Sequence, residues 1–311
     1  MSPPATVICV GHCNLDYVVN VAEIPKEPVK FRANDWREVG GGLAATASVA
    51  VARLGGRAIF CGRVGDDDVG EAIQAGLRTE NVDTTWLRIV KGRSPRSMVL
   101  VDAKGERLLA AYYDPAFPHD CDWLSPKPEG VLLVDLTWPL GAVRMLNLAR
   151  AGGVPSVVDA DATTRTSPDD VREILSRASH LVFSRSGLAQ HSGENEVLPG
   201  LRAMRDRYAS YVGVTDGENG YHWLEGDTLL HLPAPRIVAS DTNGAGDAFH
   251  GAFALALARH QSEAEAAQFA ILVATLKCTR PGGRAGLPTA AEVTAFAATV
   301  DCRALLTAVH L

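Results

Sequence analysis

Four short apolar runs, Val131 to Asp135, Ser156 to Asp159, His180 to Ser184 and Tyr211 to Thr215, alternate with stretches of helical periodicity. Strands that are apolar throughout are covered on both faces, and helical text between them implies crossover connections. A mostly parallel sheet with helices on both sides satisfies both conditions. Val7 to Val10 and Ala58 to Cys61 are further strand candidates, each followed by helical text. After Gly42 comes LAATASVAVARLGG, an Ala-rich helix stopped by Gly55-Gly56; GDDDVGEAIQAGLRTEN predicts a second helix with acidic residues in its first turn.

A second group of strands has a different character. Tyr17 to Val21 and Val29 to Trp36 read as half-exposed strands with Pro25 and Pro28 in the turn between them. Ser97 to Asp102 and Glu106 to Tyr112 predict a hairpin across Ala103-Lys104-Gly105. Together they predict a small β-sheet lid, from about Asn14 to Trp36 and Ser97 to Tyr112. The expected whole is one domain over residues 1–311: a doubly wound, mostly parallel α/β sheet flanked by helices, plus that lid.

With 47% hydrophobic and 21% charged residues, the chain has material for a large core and is not globally disordered. A formal net charge of −6 and no Lys/Arg run argue against nucleic acid as the main partner. No apolar run is long enough to span a bilayer, and the N-terminal text lacks the charge and apolar stretch of a signal peptide, so a cytoplasmic location is expected. The cysteines, Cys9, Cys13, Cys61, Cys121, Cys278 and Cys302, show no paired metal-site spacing and read as free thiols, buried by default. His119 and His191 read as isolated surface or loop residues.

The chemistry concentrates in DTNGAGDAFHG, Asp241 to Gly251, which opens an apolar helix. A Gly-rich turn at a helix start leaves N–H groups aimed at one point, and the helix dipole adds positive character there. Asp247 beside such a cradle suits a general base, with the N–H groups stabilising charge that develops on a phosphate. A plain capped helix start uses the same residue types. Asn14 and Asp16 follow the first strand, where polar groups can hold ligand hydroxyls or simply form an Asx-turn. Gly40-Gly41-Gly42 allows close ligand approach, or a flexible helix entry, but lacks the GxGxxG spacing of a dinucleotide site. Thr215 to Gly220 fits a hairpin turn, and Cys278 to Gly286 fits a glycine-rich helix stop. Walker A and protein-kinase signatures are absent.

These motifs in this order resemble the ribokinase, or PfkB, family of carbohydrate kinases, from about Val7 to Pro288. The resemblance is carried by EVGGGLAATASVAVARLGG and DTNGAGDAFHG, with RVGDDDVGE and VTDGENG as companions. EVGGGLAATA, RVGDDD and LKCTRPGGRAG look most like the sulfofructose kinase branch. It implies ATP-dependent phosphorylation of a primary hydroxyl on a small carbohydrate, with Mg²⁺ carried by the ATP phosphates and K⁺ in a nearby loop. Asp247 would deprotonate the hydroxyl, and Gly244, Ala245 and Gly246 would form the anion hole. Asn14, Asp16, Gly41, Gly42, Thr46 and Thr137 would face the sugar; Ser184, Thr215, Gly217, Gly220 and Gly246 would face ATP. Asp241, Asn243, Lys277, Arg280, Gly282 and Gly286 match the monovalent-cation loop, which would bind the ion mostly through backbone carbonyls.

The chain also departs from the family pattern. Thr46 stands where the family usually has Asn, and Ser184 and Gly187 stand in its Asn-x-x-Glu motif. Thr137 and Ala111 replace an Arg and an Asn expected in the sulfofructose branch, leaving Arg32, Arg96 and Arg107 of the lid as cationic candidates and favouring a neutral sugar. A nucleoside kinase, a phosphosugar or sulfosugar kinase and a non-catalytic sugar-binding regulator remain open. A nicotinamide dehydrogenase would share the sheet but lacks its glycine fingerprint here. Homodimerisation through apolar positions on the lid is expected.

Overall fold

The computed structural model describes residues 4–104 and 106–300 and the backbone of 307–309. Cys302 and the Gly105 position of the expected hairpin turn lie outside the described residues. In chain order the strands are β1 (Thr6–Val10), β2 (Asn14–Asn20), β3 (Asp35–Gly41), β4 (Arg57–Gly65), β5 (Asp83–Val90), β6 (Arg96–Val101), β7 (Arg107–Tyr112), β8 (Val131–Asp135), β9 (Ser156–Ala160), β10 (His180–Ser184), β11 (Tyr211–Thr215), β12 (Tyr221–Glu225), β13 (Thr228–Leu232) and β14 (Thr307–Val309). The helices are α1 (Leu43–Arg53), α2 (Asp68–Thr79), α3 (Pro139–Ala151), α4 (Pro168–Leu175), α5 (Arg185–Ser192), α6 (Val197–Tyr208), α7 (Ala245–Ala258), α8 (Glu263–Cys278) and α9 (Ala290–Ala297).

Ten strands form the main sheet in the order β14-β13-β12-β11-β10-β9-β8-β1-β4-β5. Pairing is parallel from β5 across to β11 and antiparallel over β12, β13 and β14. Alternate side chains of the central strands feed two separate cores. Val7 and Cys9 pack with α1, α7 and α8 on one face; Ile8 and Val10 pack with α3 and α4 on the other. This is why β1, β8 and β9 are buried throughout and their sequences show no alternation. The sheet therefore carries helices on both sides, as the alternating text predicts.

The second sheet has the order β3-β2-β6-β7, with β2 and β6 parallel and its outer pairs antiparallel. Its third element corrects the sequence expectation. Val29 to Asn34 is not strand; pairing begins at Asn20 opposite Asp35 and runs to Asn14 opposite Gly41. The β-branched and aromatic residues of 29–36 suggested a strand, but Phe31 and its neighbours are exposed without cross-strand partners. Asn14 and Asp16 also lie inside a strand, so an Asx-turn there is excluded. Strand β5 escaped the sequence analysis although it closes one edge of the main sheet. Cys9, Cys13 and Cys61 are buried free thiols, while Cys121 and Cys278 are only half-buried. His119 is an exposed loop residue, whereas His191 is half-buried in α5 and its Nε2 lies 3.1 Å from the Asp161 carbonyl.

Candidate active site

The carboxyl ends of β1 and β8, the loop after β9, the start of α7 and one face of the small sheet converge on a cavity of about 260 Å³. Strand periodicity puts Asn14 and Asp16 on that face, opposite Gly41 and Val39. Asn14 Nδ2 and Ser97 Oγ both donate to Asp16 Oδ1, which fixes the carboxylate toward the cavity. Gly41 has to be glycine: a Cβ there would sit 2.5 Å from Asp16 Oδ2 and 2.6 Å from Asn14 Oδ1. Gly42 caps α1 at φ 95°, and a Cβ would fall 2.4 Å from the His12 carbonyl. Thr46, one turn into α1, lines the same cavity.

The α7 entry supplies the opposite wall. Gly244 is left-handed at φ 79°, so the conformational demand falls there. Gly246 lies within the helix, and a Cβ on it would meet open space. Asp247 falls in the first helical turn and faces the cavity between Gly244 and Arg284. Its carboxyl is raised well above the usual range, first by burial and then by repulsion from Asp159, with Arg284 acting in the opposite sense. Burial also pushes Asp159 up to about 6, offset in part by His250, whose Nδ1 is 3.5 Å away. A carboxylate held at elevated proton affinity is a competent base near neutral pH.

Thr137 reaches the cavity, but its hydroxyl and N–H both donate to Asp135 Oδ1. Asp135 is 1% exposed and also accepts the His12 N–H at 2.8 Å and the Ala44 N–H at 3.2 Å. It ties β8 to the start of α1, and Thr137 is thereby a poorer ligand group than expected. Four groups had no sequence signal. His12 is half-buried with its ring held neutral, its pKa lowered to about 3 by loss of water around the ring and by nearby Arg165 and Arg63; its buried Nε2 lacks a partner among the described residues. Arg284, 7% exposed, donates to the Gly41 carbonyl at 2.6 Å. Arg165 stacks over the Tyr113 ring at 3.3 Å, and both line the cavity. The lid arginines are not there: Arg96 pairs with Asp67, and Arg107 with Asp241.

On the far side of the α7 entry lies a cavity of about 620 Å³, lined by Thr215, Gly217, Gly220, Ala245, Gly246 and the apolar Phe249 and Ile271. Thr215 to Gly220 is indeed a connection between antiparallel strands, β11 and β12. Ser184 does not line this cavity. Its hydroxyl caps α5 by accepting the Gly187 N–H at 2.9 Å and donates to Asp161 Oδ1. Asp159 and Asp161 instead line a crevice with Thr137 and Leu43.

The expected monovalent-cation loop is brought together but differently furnished. Asp241 Oδ2 accepts the Gly282 and Gly283 N–H groups at 2.9 and 3.2 Å, and Oδ1 accepts the Asn243 N–H at 2.9 Å. These donors outweigh the opposing effect of burial and bring the carboxyl down to about 2. Lys277 enters through its side chain: its Nζ donates to the Asp241 carbonyl at 2.7 Å. The Arg280 side chain pairs with Glu292 at 3.0 Å, while its carbonyl and that of Pro281 lie close to Gly286. The residues present do not fit K⁺ as expected, because an ammonium group stands against the oxygen such an ion would need.

Two cavities that share a helix N-terminus, with a carboxylate lining the smaller one, suit transfer of a phosphoryl group from one ligand to another. Comparison with known proteins agrees. Residues 4–290 match the pfkB family carbohydrate kinase description. A fructokinase from Klebsiella pneumoniae is 32% identical over 71% of this chain and 77% of its own length. A ribokinase from Bacillus subtilis is 27% identical over 92% and 97%. The crystal structure of a candidate ribokinase from Agrobacterium tumefaciens superposes with a TM-score of 0.88 at 34% identity, covering 94% of this chain and 97% of that one. With two cavities meeting at the start of α7 and this likeness along nearly its whole length, the chain is a carbohydrate kinase of the pfkB family.

Proposed function

We propose that the chain transfers the terminal phosphoryl group of ATP to a primary hydroxyl of a small neutral sugar. The observation that carries this reading is Asp247, set with raised proton affinity in the polar cavity beside the N–H groups of Gly244 and Gly246, while the Ala245 N–H is donated to the Thr242 carbonyl at 3.2 Å. The sugar occupies the smaller cavity. Asp16 accepts from its hydroxyls, Asn14 and Arg284 orient it, and the unpartnered His12 Nε2 receives one further hydroxyl. ATP occupies the larger cavity, its base against Phe249 and Ile271 and its phosphates toward Gly244 to Gly246. Asp247 takes the hydroxyl proton as the oxygen attacks, and the α7 N–H groups stabilise charge growing on the transferred phosphate.

Magnesium supplies charge neutralisation on the ATP phosphates when bound. Among the described residues no cluster of three acidic, His or Cys side chains is arranged for a metal. Asp161 and Asp159, which line the neighbouring crevice, would hold the water shell of the magnesium where the Asn-x-x-Glu pair is missing.

Ala111 and Thr137 line the sugar cavity without offering a cation, and its two arginines are balanced by Asp16 and Asp247 and already engaged, Arg284 by the Gly41 carbonyl and Arg165 by the Tyr113 ring. That supports a neutral sugar and does not support sulfofructose, consistent with relatives that are a fructokinase and a ribokinase. The outer face of the lid carries Trp36, Met98, Leu108 and Tyr112 on one side of the sheet, each at least 40% exposed, which supports homodimerisation there. No described helix is long and apolar enough to cross a membrane, in keeping with a cytoplasmic kinase. The test is ATP consumption over a panel of ketoses, pentoses, sugar acids and nucleosides, with light scattering for the assembly. Turnover confined to nucleosides or to anionic sugars contradicts the substrate assignment.

A further inference from the structure

Asp241 lies where two chain segments and the lid meet, and every oxygen it offers is engaged. Oδ2 accepts from Gly282 and Gly283, and Oδ1 from Asn243 and from Arg107 of β7 at 2.5 Å. Its main-chain carbonyl accepts from Lys277 Nζ at 2.7 Å, and the same nitrogen is 3.9 Å from Oδ2. The Lys277 side chain is 0% exposed. Other oxygens of the loop are occupied too: the Lys277 carbonyl accepts the Arg280 N–H at 3.0 Å, and the Gly282 carbonyl accepts the Ala285 N–H at 2.9 Å.

A buried ammonium persists only where oxygens compensate its lost hydration. Here the compensating oxygens are those of Asp241, the residue that would anchor a monovalent ion. An ion bound to the same carbonyl would stand next to a positive charge that cannot leave, since α8 holds its stem in the core. Like charges at such separation repel strongly away from water. The Asp241 carbonyl begins the turn through Thr242 to Gly244 that opens α7, so whatever cation holds it also fixes the anion hole.

We propose that Lys277 is a built-in cation that takes the place of K⁺, making the protein indifferent to monovalent ions. Lys277 acts as a positioning residue: it neutralises Asp241 and holds the α7 entry in shape without touching substrate. Arg107 adds a second positive charge from the lid, which ties the lid strand β7 to the same loop. The activity readout rests on the kinase reading above; the thermal readout does not.

The test compares KCl with tetramethylammonium chloride at matched ionic strength. The wild-type melting temperature is expected to be the same in both salts, and turnover equal within about twofold, the residue of general ionic-strength effects. Lys277→Met is expected to lose turnover on the order of tenfold in tetramethylammonium, for loss of one nearby charge, and to regain it in KCl. Stabilisation or several-fold stimulation of the wild type by K⁺ overturns the proposal. So does a Lys277→Met variant that is fully active without K⁺, or one whose loss K⁺ does not restore. Should that variant fail to fold, the two wild-type comparisons decide. A protein that phosphorylates nothing refutes the kinase reading, and the melting comparison still decides the ion site.

Discussion

Asp247→Asn separates chemistry from architecture more cleanly than any other substitution in this chain. Asparagine fills the same volume between Gly244 and Arg284 but cannot accept the hydroxyl proton. General-base catalysis contributes about 10²–10⁴-fold, or roughly 3–5 kcal/mol of transition-state stabilisation, so kcat should fall by that factor. Stability should move the other way. The Asp247 pKa in the fold is raised, so its ionised form is disfavoured there relative to the unfolded chain. A raised carboxyl contributes stability only at pH values where it is protonated, and that contribution disappears as pH rises through the folded value. Each tenfold shift in its ionisation constant costs about 1.4 kcal/mol at neutral pH, which the amide removes. The variant is therefore expected to melt higher than wild type at pH 7.5 while ATP still protects it thermally. Coupled ADP release and thermal melting on the same samples check both halves. A variant within a few-fold of wild-type turnover refutes the base assignment; one that melts lower refutes the electrostatic account of the site.

Wild-type kcat should fall on acidification at a pH above the ordinary carboxylate range, because the base with the raised pKa must be ionised to act; a plateau down to pH 4 argues against it. Asp161→Asn should raise the Mg²⁺ concentration needed for half-maximal rate with little change in the sugar KM; an unchanged Mg²⁺ titration removes it from the metal's water shell. Gly244→Ala should destabilise by about 1–2 kcal/mol because its φ of 79° is left-handed, whereas Gly246→Val should fold normally and weaken ATP binding. Equal melting losses in the two variants would contradict that division. Fructose should be preferred over fructose 6-phosphate and sulfofructose in kcat/KM, and a preference for either anion would point to Arg165 as its partner.

The buried strands were legible because their neighbours cover both faces: β10 and β11 coincide with the apolar runs at His180 to Ser184 and Tyr211 to Thr215. The lid was less so. Its β3 strand carries four exposed residues before the glycines, and Val29 to Asn34 imitated a strand by residue type alone. The α7 turn is legible as a candidate site, since a Gly-rich helix entry with an acidic residue is local in sequence. What stayed hidden is what the fold assembles from distant segments. His12, Arg165 and Arg284 reach one cavity from three parts of the chain, and no spacing rule connects them. Thr137 and Ser184 illustrate the converse: the right positions hold hydroxyls that Asp135 and the α5 cap consume. Lys277 falls in the cation loop by position, and no spacing rule indicates that its side chain folds back to the Asp241 carbonyl.

The central claim is that this chain moves phosphate from ATP to a sugar hydroxyl through Asp247. Phosphorus NMR of wild type and Asp247→Asn incubated side by side with ATP, Mg²⁺ and the best sugar of the panel tests it most directly. The expected result is ADP and one sugar monophosphate in equal amounts, esterified at a primary hydroxyl, with the variant's spectrum unchanged over the same period. Sugar-independent release of inorganic phosphate, a phosphate on a secondary hydroxyl, or equal product from the variant would contradict it.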